Sequence, residues 1–329
     1  MILSVSRRTD IPSYYSDWFF NRIKEGYLYT RNPLSQHQVS KINISPDVVD
    51  CIVFWSKNPI PMMNRLDELK DYMYYFQFSI TGCGRDIEQN VPDKKTIILP
   101  AFRELSKKIG SKRVIWRFDP IVFTDKYEEE YYLETFREYA EYLNGYTEKC
   151  VISFVDFYAK IKKNMEEIHS YEPNVERLNS FAKKIADIAH ENGMVVATCA
   201  EKIDLDFCGI THNACIDKDH IEQLIGYRLK GAKDTGQRPE CGCMASIEVG
   251  SYNTCLNGCK YCYANFNPNI VLEKHSLYDP SSPILCDSID PIKDRITERA
   301  VSSMKKEPIN NPTQMTLWDV FGIKNEEDT

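Results

Sequence analysis

No run of about 18 consecutive apolar residues occurs in this 329-residue chain, so no transmembrane helix is expected. The first residues lack the basic head, apolar centre and small-residue cleavage site of a secretory signal. The expected compartment is therefore the cytoplasm, with no membrane partner. No G-x-G-x-x-G follows an apolar run and no G-x-x-x-x-G-K-[ST] is present, which disfavours a dinucleotide fold and a P-loop NTPase. Histidine is scarce, six in all, and only His212 falls at an expected strand end, so a zinc hydrolase would be short of ligands. Positive charge is not in excess: 41 Lys and Arg stand against 48 Asp and Glu, a formal net charge of -7. That argues against a general nucleic-acid coat, although a local basic groove stays compatible with it.

What is present is an ordinary globular composition, 43% hydrophobic and 27% charged, in a chain long enough to bury a full core. Apolar runs of strand length lie at Ile2–Ser6, Asp50–Ser56, Tyr74–Ile80, Arg113–Asp119, Cys150–Asp156 and Met194–Cys199, with weaker ones at Cys208–His212 and Ala245–Val249. They are continuous rather than alternating, as strands buried on both faces of a parallel sheet are. Between them run helical patterns. Lys126–Asn144 carries Leu133, Phe136, Ala140 and Leu143 on one face, with Thr124 or Asp125 to cap it and Gly145 to end it. Val175–Asn192 carries Leu178, Phe181, Ile185 and Ile188, with Gly193 after it.

The alternation predicts an α/β fold: a (β/α) barrel of about eight parallel strands over residues 1–266, with an open doubly wound sheet as the alternative. Residues 267–329 read as a wrapping tail, rich in Pro, Ser, Asp and Asn, with one short helix near Pro291–Lys305. Strand C-termini form the active face of such barrels. The polar residues expected there are Arg7, Arg8, Asp10, Lys57, Arg117, Asp119 and Glu201.

Cysteine is abundant instead of scarce. There are 12, and eight lie between positions 199 and 262. In a reducing compartment these are not expected to be disulfides. Cys51 and Cys150 sit inside apolar runs and are expected to be core. The sharpest pattern is Cys255-Leu-Asn-Gly-Cys259-Lys-Tyr-Cys262, a C-x3-C-x2-C loop that Gly258 lets turn tightly. Three thiolates this close can hold three corners of a [4Fe–4S] cluster and leave one iron open. Structural zinc prefers a second, distant pair of ligands and fits the loop poorly.

With an aromatic residue, Tyr261, before its third cysteine, this loop resembles the cluster loop of radical S-adenosylmethionine enzymes. The resemblance implies a [4Fe–4S] cluster on Cys255, Cys259 and Cys262. It implies S-adenosylmethionine at the open iron, Tyr261 near its adenine, and an electron donor such as flavodoxin or ferredoxin. In that superfamily the loop follows the first strand. Here it follows the last, which reads as a circular permutation if the last strand lies beside the first. The usual glycine- and glutamate-rich segment that holds the methionine amino group is not found.

Over Ser4–Asn265 the stretches SVSRRTDIP, DCIVFWSKNP, YFQFSITG, RVIWRFDPI, KCVISFVD, CAEK and CGC...GSYNTCLNGCKYCYAN resemble the DUF1848 family, a domain of unknown function. RTDIP, WSKNP, FSIT and DPI also resemble, in the same order, pieces of the spore photoproduct lyase group. That likeness implies a nucleic-acid base or DNA lesion as substrate.

Cys199, Cys215, Cys241 and Cys243 form an expected second metal set, read first as an auxiliary iron–sulfur cluster. Zinc with His212 or His220, a role for Cys208 in place of Cys199, and a set of unligated thiols are the alternatives. Gln314-Met-Thr-Leu317-Trp318 resembles a sliding-clamp-binding peptide, which implies a DNA-bound partner. Together these features predict an iron–sulfur enzyme of radical type; a non-catalytic iron–sulfur or zinc sensor is the other reading.

Overall fold

Alternate residues of a strand face opposite sides of a sheet, and here both sides are apolar. The computed structural model describes residues 1–265 and 267–309. Its main sheet has eight strands: β1 (Ile2–Val5), β2 (Cys51–Ser56), β3 (Tyr74–Ser79), β4 (Val114–Ile121), β5 (Lys149–Phe154), β6 (Val195–Cys199), β7 (Thr211–Asn213) and β8 (Ile247–Glu248). Ile52, Phe54, Phe76, Phe78, Trp116, Phe118 and Ile152 pack outward into one large core with the helices. Cys51, Val53, Tyr75, Ile115 and Val151, the intervening positions, pack inward in a second cluster with Ile216, Leu229 and Met244. This two-sided burial is why the runs read as continuous. Cys51 and Cys150 are fully buried, as expected.

The hydrogen-bonded order is β8-β1-β2-β3-β4-β5-β6-β7, parallel throughout. The last strand lies beside the first, Leu3 opposite Ile247 and Ser4 opposite Glu248. The fold is thus α/β with a large parallel sheet, whose hydrogen bonding begins at β8 and ends at β7. The principal helices include α1 (Ser16–Glu25), α2 (Leu99–Ile109), α3 (Glu129–Leu143), α4 (Val175–Glu191), α5 (Lys218–Ile225) and α6 (Pro268–Ser276). Phe102 of α2 stacks on Phe78, Phe136 of α3 stacks on Trp116, and Phe181 of α4 meets Phe123 edge-on. Among the described residues no helix is long and apolar enough to cross a membrane.

Two local expectations are corrected. Helix α3 starts after Glu128 with no side-chain cap; the Thr124 hydroxyl instead accepts from the Lys126 and Tyr127 amides and shapes the preceding turn. The segment expected as a helix near Pro291–Lys305 is extended. Arg295–Arg299 pairs in parallel with Gln38–Asn43, and Lys305–Pro308 pairs with Tyr227–Leu229. A nearby strand with unpaired backbone groups outweighed weak helical patterning there. Gln314–Trp318 lies outside the described residues.

The join between the last and first strands is close. A Cβ on Gly250 would stand 1.9 Å from Ser6 Oγ and 2.7 Å from Ser6 Cβ. Gly250→Ala should therefore cost about 1–3 kcal/mol through overpacking. The urea midpoint measures it, and an unchanged midpoint would contradict this close approach.

Candidate functional site

Toward the strand C-termini the inward positions turn polar: Gln77 and Ser79 on β3, Arg117 and Asp119 on β4, Ser153 on β5. With the loops that follow, several of them line a cavity of about 490 Å³. Of the expected polar residues, Arg7, Arg8, Asp10, Lys57, Arg117 and Asp119 line it. So do Tyr261 and all seven expected ligand cysteines: 199, 215, 241, 243, 255, 259 and 262. Glu201 stands apart from that lining. Its carboxylate accepts from the Phe154 amide at 2.8 Å, and burial pushes its pKa up to about 7.

The C-x3-C-x2-C loop is held from outside itself. Lys260 N donates to Ile87 O at 2.9 Å and Asn90 N to Asn257 O at 3.0 Å. The backbone of Glu88 forms an isolated antiparallel β-bridge with that of Cys259. Gly258 has φ +65°, a left-handed conformation that glycine adopts without strain. The three cysteines are free. Burial pushes the Cys255 thiol up to about 12 and raises Cys259 and Cys262 as well. A bound cation would offset this desolvation and favour their thiolates.

Glu88 was not legible in the sequence and is central here. It is 1% exposed. Lys57 Nζ donates to its Oε1 at 2.7 Å, Lys94 Nζ lies 2.5 Å from Oε2, and the Tyr261 hydroxyl donates to Oε1. Burial alone would raise this carboxyl, but the Lys57 and Lys94 ammoniums hold it well below the usual carboxylate range. The Lys57 ammonium also lies over the Tyr261 ring, 5.6 Å from its centroid.

Asp10 is a brace. It accepts from Ser56 Oγ at 2.7 Å, Lys57 N at 2.8 Å, Asn257 Nδ2 at 3.0 Å and Ser13 N at 3.1 Å. It thus ties the loops after β1 and β2 to the cysteine loop. Arg7 pairs with Glu248 at 3.3 Å. The Arg8 guanidinium stacks on Tyr252 at 4.5 Å, and among the described residues no carboxylate forms an ion pair with it. Arg117 pairs with Asp119, which accepts from Ser153 Oγ, and donates to Cys215 Sγ at 2.9 Å.

The second cysteine set also converges. Cys199 Sγ lies 3.0 Å from Cys215 Sγ, and the Ile216 amide, next in the chain after Cys215, donates to Cys243 Sγ at 3.3 Å. Interaction with Cys243 lowers the Cys241 thiol to about 7. Cys208 stays out of the set and donates to Leu205 O at 3.2 Å. His212 meets Thr198, and His220 packs edge-on against Tyr75; neither lines the cavity. Among the described residues no group of three or more His, Cys, Asp or Glu side chains is already spaced to hold a metal ion.

A family model described as a domain of unknown function (DUF1848) matches residues 2–264. No curated protein and no solved structure matches the chain.

Proposed function

The chain belongs to the DUF1848 family, and from the geometry of its cavity we propose that it is an iron–sulfur enzyme of the radical S-adenosylmethionine type. The observation that carries this reading is the placement of Cys255, Cys259 and Cys262. All three line one cavity at the C-terminal ends of a parallel sheet, in the loop after a strand that pairs with β1. That is the neighbourhood a permuted cluster loop would occupy in a (β/α) barrel closed at β7 and β8. The donor set fits: three half-buried soft thiols on one loop, with no fourth cysteine in it. When bound, such a cluster supplies one electron at an open iron for reductive cleavage of S-adenosylmethionine and hydrogen abstraction from a substrate.

The chain's own residues then have separable tasks. Glu88, Lys57 and Lys94 hold Tyr261 and the cysteine loop rigid. Arg8 offers an uncommitted cation for a carboxylate or phosphate group. Asp119, tied to Arg117 and Ser153, presents an acceptor on the opposite wall. Tyr158 and Tyr263 line the cavity partly exposed, their rings 6.2 Å apart, and offer stacking surfaces for a planar group. They favour a nucleic-acid base or lesion among substrates. A small redox protein such as flavodoxin or ferredoxin would supply the electron.

The test is anaerobic. The reconstituted chain should bind about four irons at this loop, and its reduced EPR spectrum should shift when S-adenosylmethionine is added. A spectrum that ignores the cofactor would replace the enzyme with a sensor. Absence of iron would end the enzyme reading and the iron–sulfur sensor, and zinc in its place would leave a zinc sensor.

A further inference from the structure

We propose that Cys199, Cys215, Cys241 and Cys243 hold a single zinc-type metal ion that staples the two ends of the main sheet together. This proposal does not depend on the reading of the 255–262 loop.

The four thiols come from both sides of one seam. Cys199 ends β6 and Cys215 follows β7, while Cys241 and Cys243 lie in the segment before β8. Strand pairing ends at β7 on one side and at β8 on the other. Loops join the two sides instead: Met244 N donates to Ile216 O at 3.0 Å and Ile216 N to Cys243 Sγ at 3.3 Å. The Cys-Gly-Cys turn lies against the chain before Cys215: a Cβ at Gly242 would meet Asn213 O and Ala214 Cβ at 3.4 Å, ordinary van der Waals contact.

The spacing selects the kind of metal. A tetrahedral ion with metal–sulfur bonds of about 2.3 Å sets its sulfurs about 3.8 Å apart. The Cys199–Cys215 separation is 3.0 Å, and Cys241 and Cys243 line the same cavity wall beside them. A cubane binds each cysteine to a different iron and holds them much farther apart. A single ion needs the first pair to spread by about 0.8 Å.

The surroundings suit bound thiolates. Arg117 Nη1 donates to Cys215 Sγ at 2.9 Å and a backbone amide reaches Cys243 Sγ; such donors orient and stabilise metal-bound sulfur. Arg117 also offsets part of the net negative charge of four thiolates on a divalent ion. Four protein ligands leave no open position, so the ion is structural. Its effect on the cavity is to fix Arg117 and Asp119 in the wall.

The experiment uses the full chain with Cys255, Cys259 and Cys262 all changed to alanine, expressed with zinc and iron supplied and purified without oxygen. We expect about one zinc per chain, and, after exchange, the intense sulfur-to-cobalt absorption of tetrahedral four-thiolate cobalt. Adding Cys215→Ser should remove both. About four irons in the triple variant would overturn the single-ion proposal in favour of a cluster. A metal-free chain, or a Cys199–Cys215 disulfide, would overturn the site. Should that variant not fold, metal analysis of the unaltered chain decides: zinc near one equivalent supports the proposal, whether or not the other loop binds iron, and none overturns it.

Discussion

Cys259→Ala is expected to lower the iron held at the 255–262 loop from about four per chain to near zero, with formation of 5′-deoxyadenosine falling at least about a thousandfold. Two remaining thiolates cannot keep a four-iron cluster with an open corner. Loss of fold does not explain this outcome. The loop is pinned by Lys260 N to Ile87 O, Asn90 N to Asn257 O and Asn90 Nδ2 to Leu256 O at 2.7 Å, none of which uses a cysteine sulfur. Removing one sulfur from a packed site costs about 1–2 kcal/mol, well within the stability of an ordinary domain. Cys150→Ala is the control. It also removes a fully buried thiol, in β5, away from the cavity, and should lose comparable stability while keeping its iron. Equal iron in the Cys259→Ala protein and the unaltered chain would sink the proposed cluster site.

The parts of this arrangement that could be read beforehand share a physical property. Strands β2 to β6 are buried on both faces, so Phe54, Phe76, Trp116 and Ile152 announce themselves with their inward neighbours. Helices α3 and α4 bury one stripe each, at Phe136, Ala140, Leu143 and at Leu178, Phe181, Ile185. Strand ends then place Arg117 and Asp119 by parity alone, and spacing identifies Cys255, Cys259 and Cys262. The tail offered no such handle. Every residue of Arg295–Arg299 is exposed, so its pairing with Gln38–Asn43 leaves no apolar period to detect. Helix α6 did carry local signals, since Asn267 caps Asn269 and Ile270 and Pro268 occupies the first position. They were submerged in a segment whose composition reads as loop. Glu88 was hidden for another reason: it lies in irregular chain after β3, and its meaning comes from Lys57, Lys94 and Tyr261, which only the fold brings to it.

Glu88→Gln should consequently be the most damaging single change outside the cysteines, lowering stability by about 3–5 kcal/mol at neutral pH. Gln keeps the shape and removes the charge. The Lys57 and Lys94 side chains, 13% and 11% exposed, would lose their shared carboxylate. Lys94 would retain the Thr81 carbonyl and hydroxyl, both at 2.9 Å, and the Cys83 carbonyl. Among the described residues Lys57 Nζ has no comparable set of acceptors, so its ammonium carries most of the penalty. The sign with pH follows from the depressed carboxyl. A group with its folded pKa below the unfolded one adds stability above the ordinary value of 4.5 and loses it as pH falls toward the folded value. Denaturant midpoints for the two proteins should therefore lie far apart at pH 7 and draw together below about pH 4.5. A gap constant with pH would mean that packing, not charge, accounts for the loss. The same substitution leaves the Tyr261 hydroxyl and the Lys57 ammonium to share one uncharged amide oxygen, which weakens their hold and slackens the 255–262 loop. In protein that stays folded at low temperature, the S-adenosylmethionine-induced EPR change should weaken while iron content holds. That split separates a residue that positions the loop from one that binds the metal.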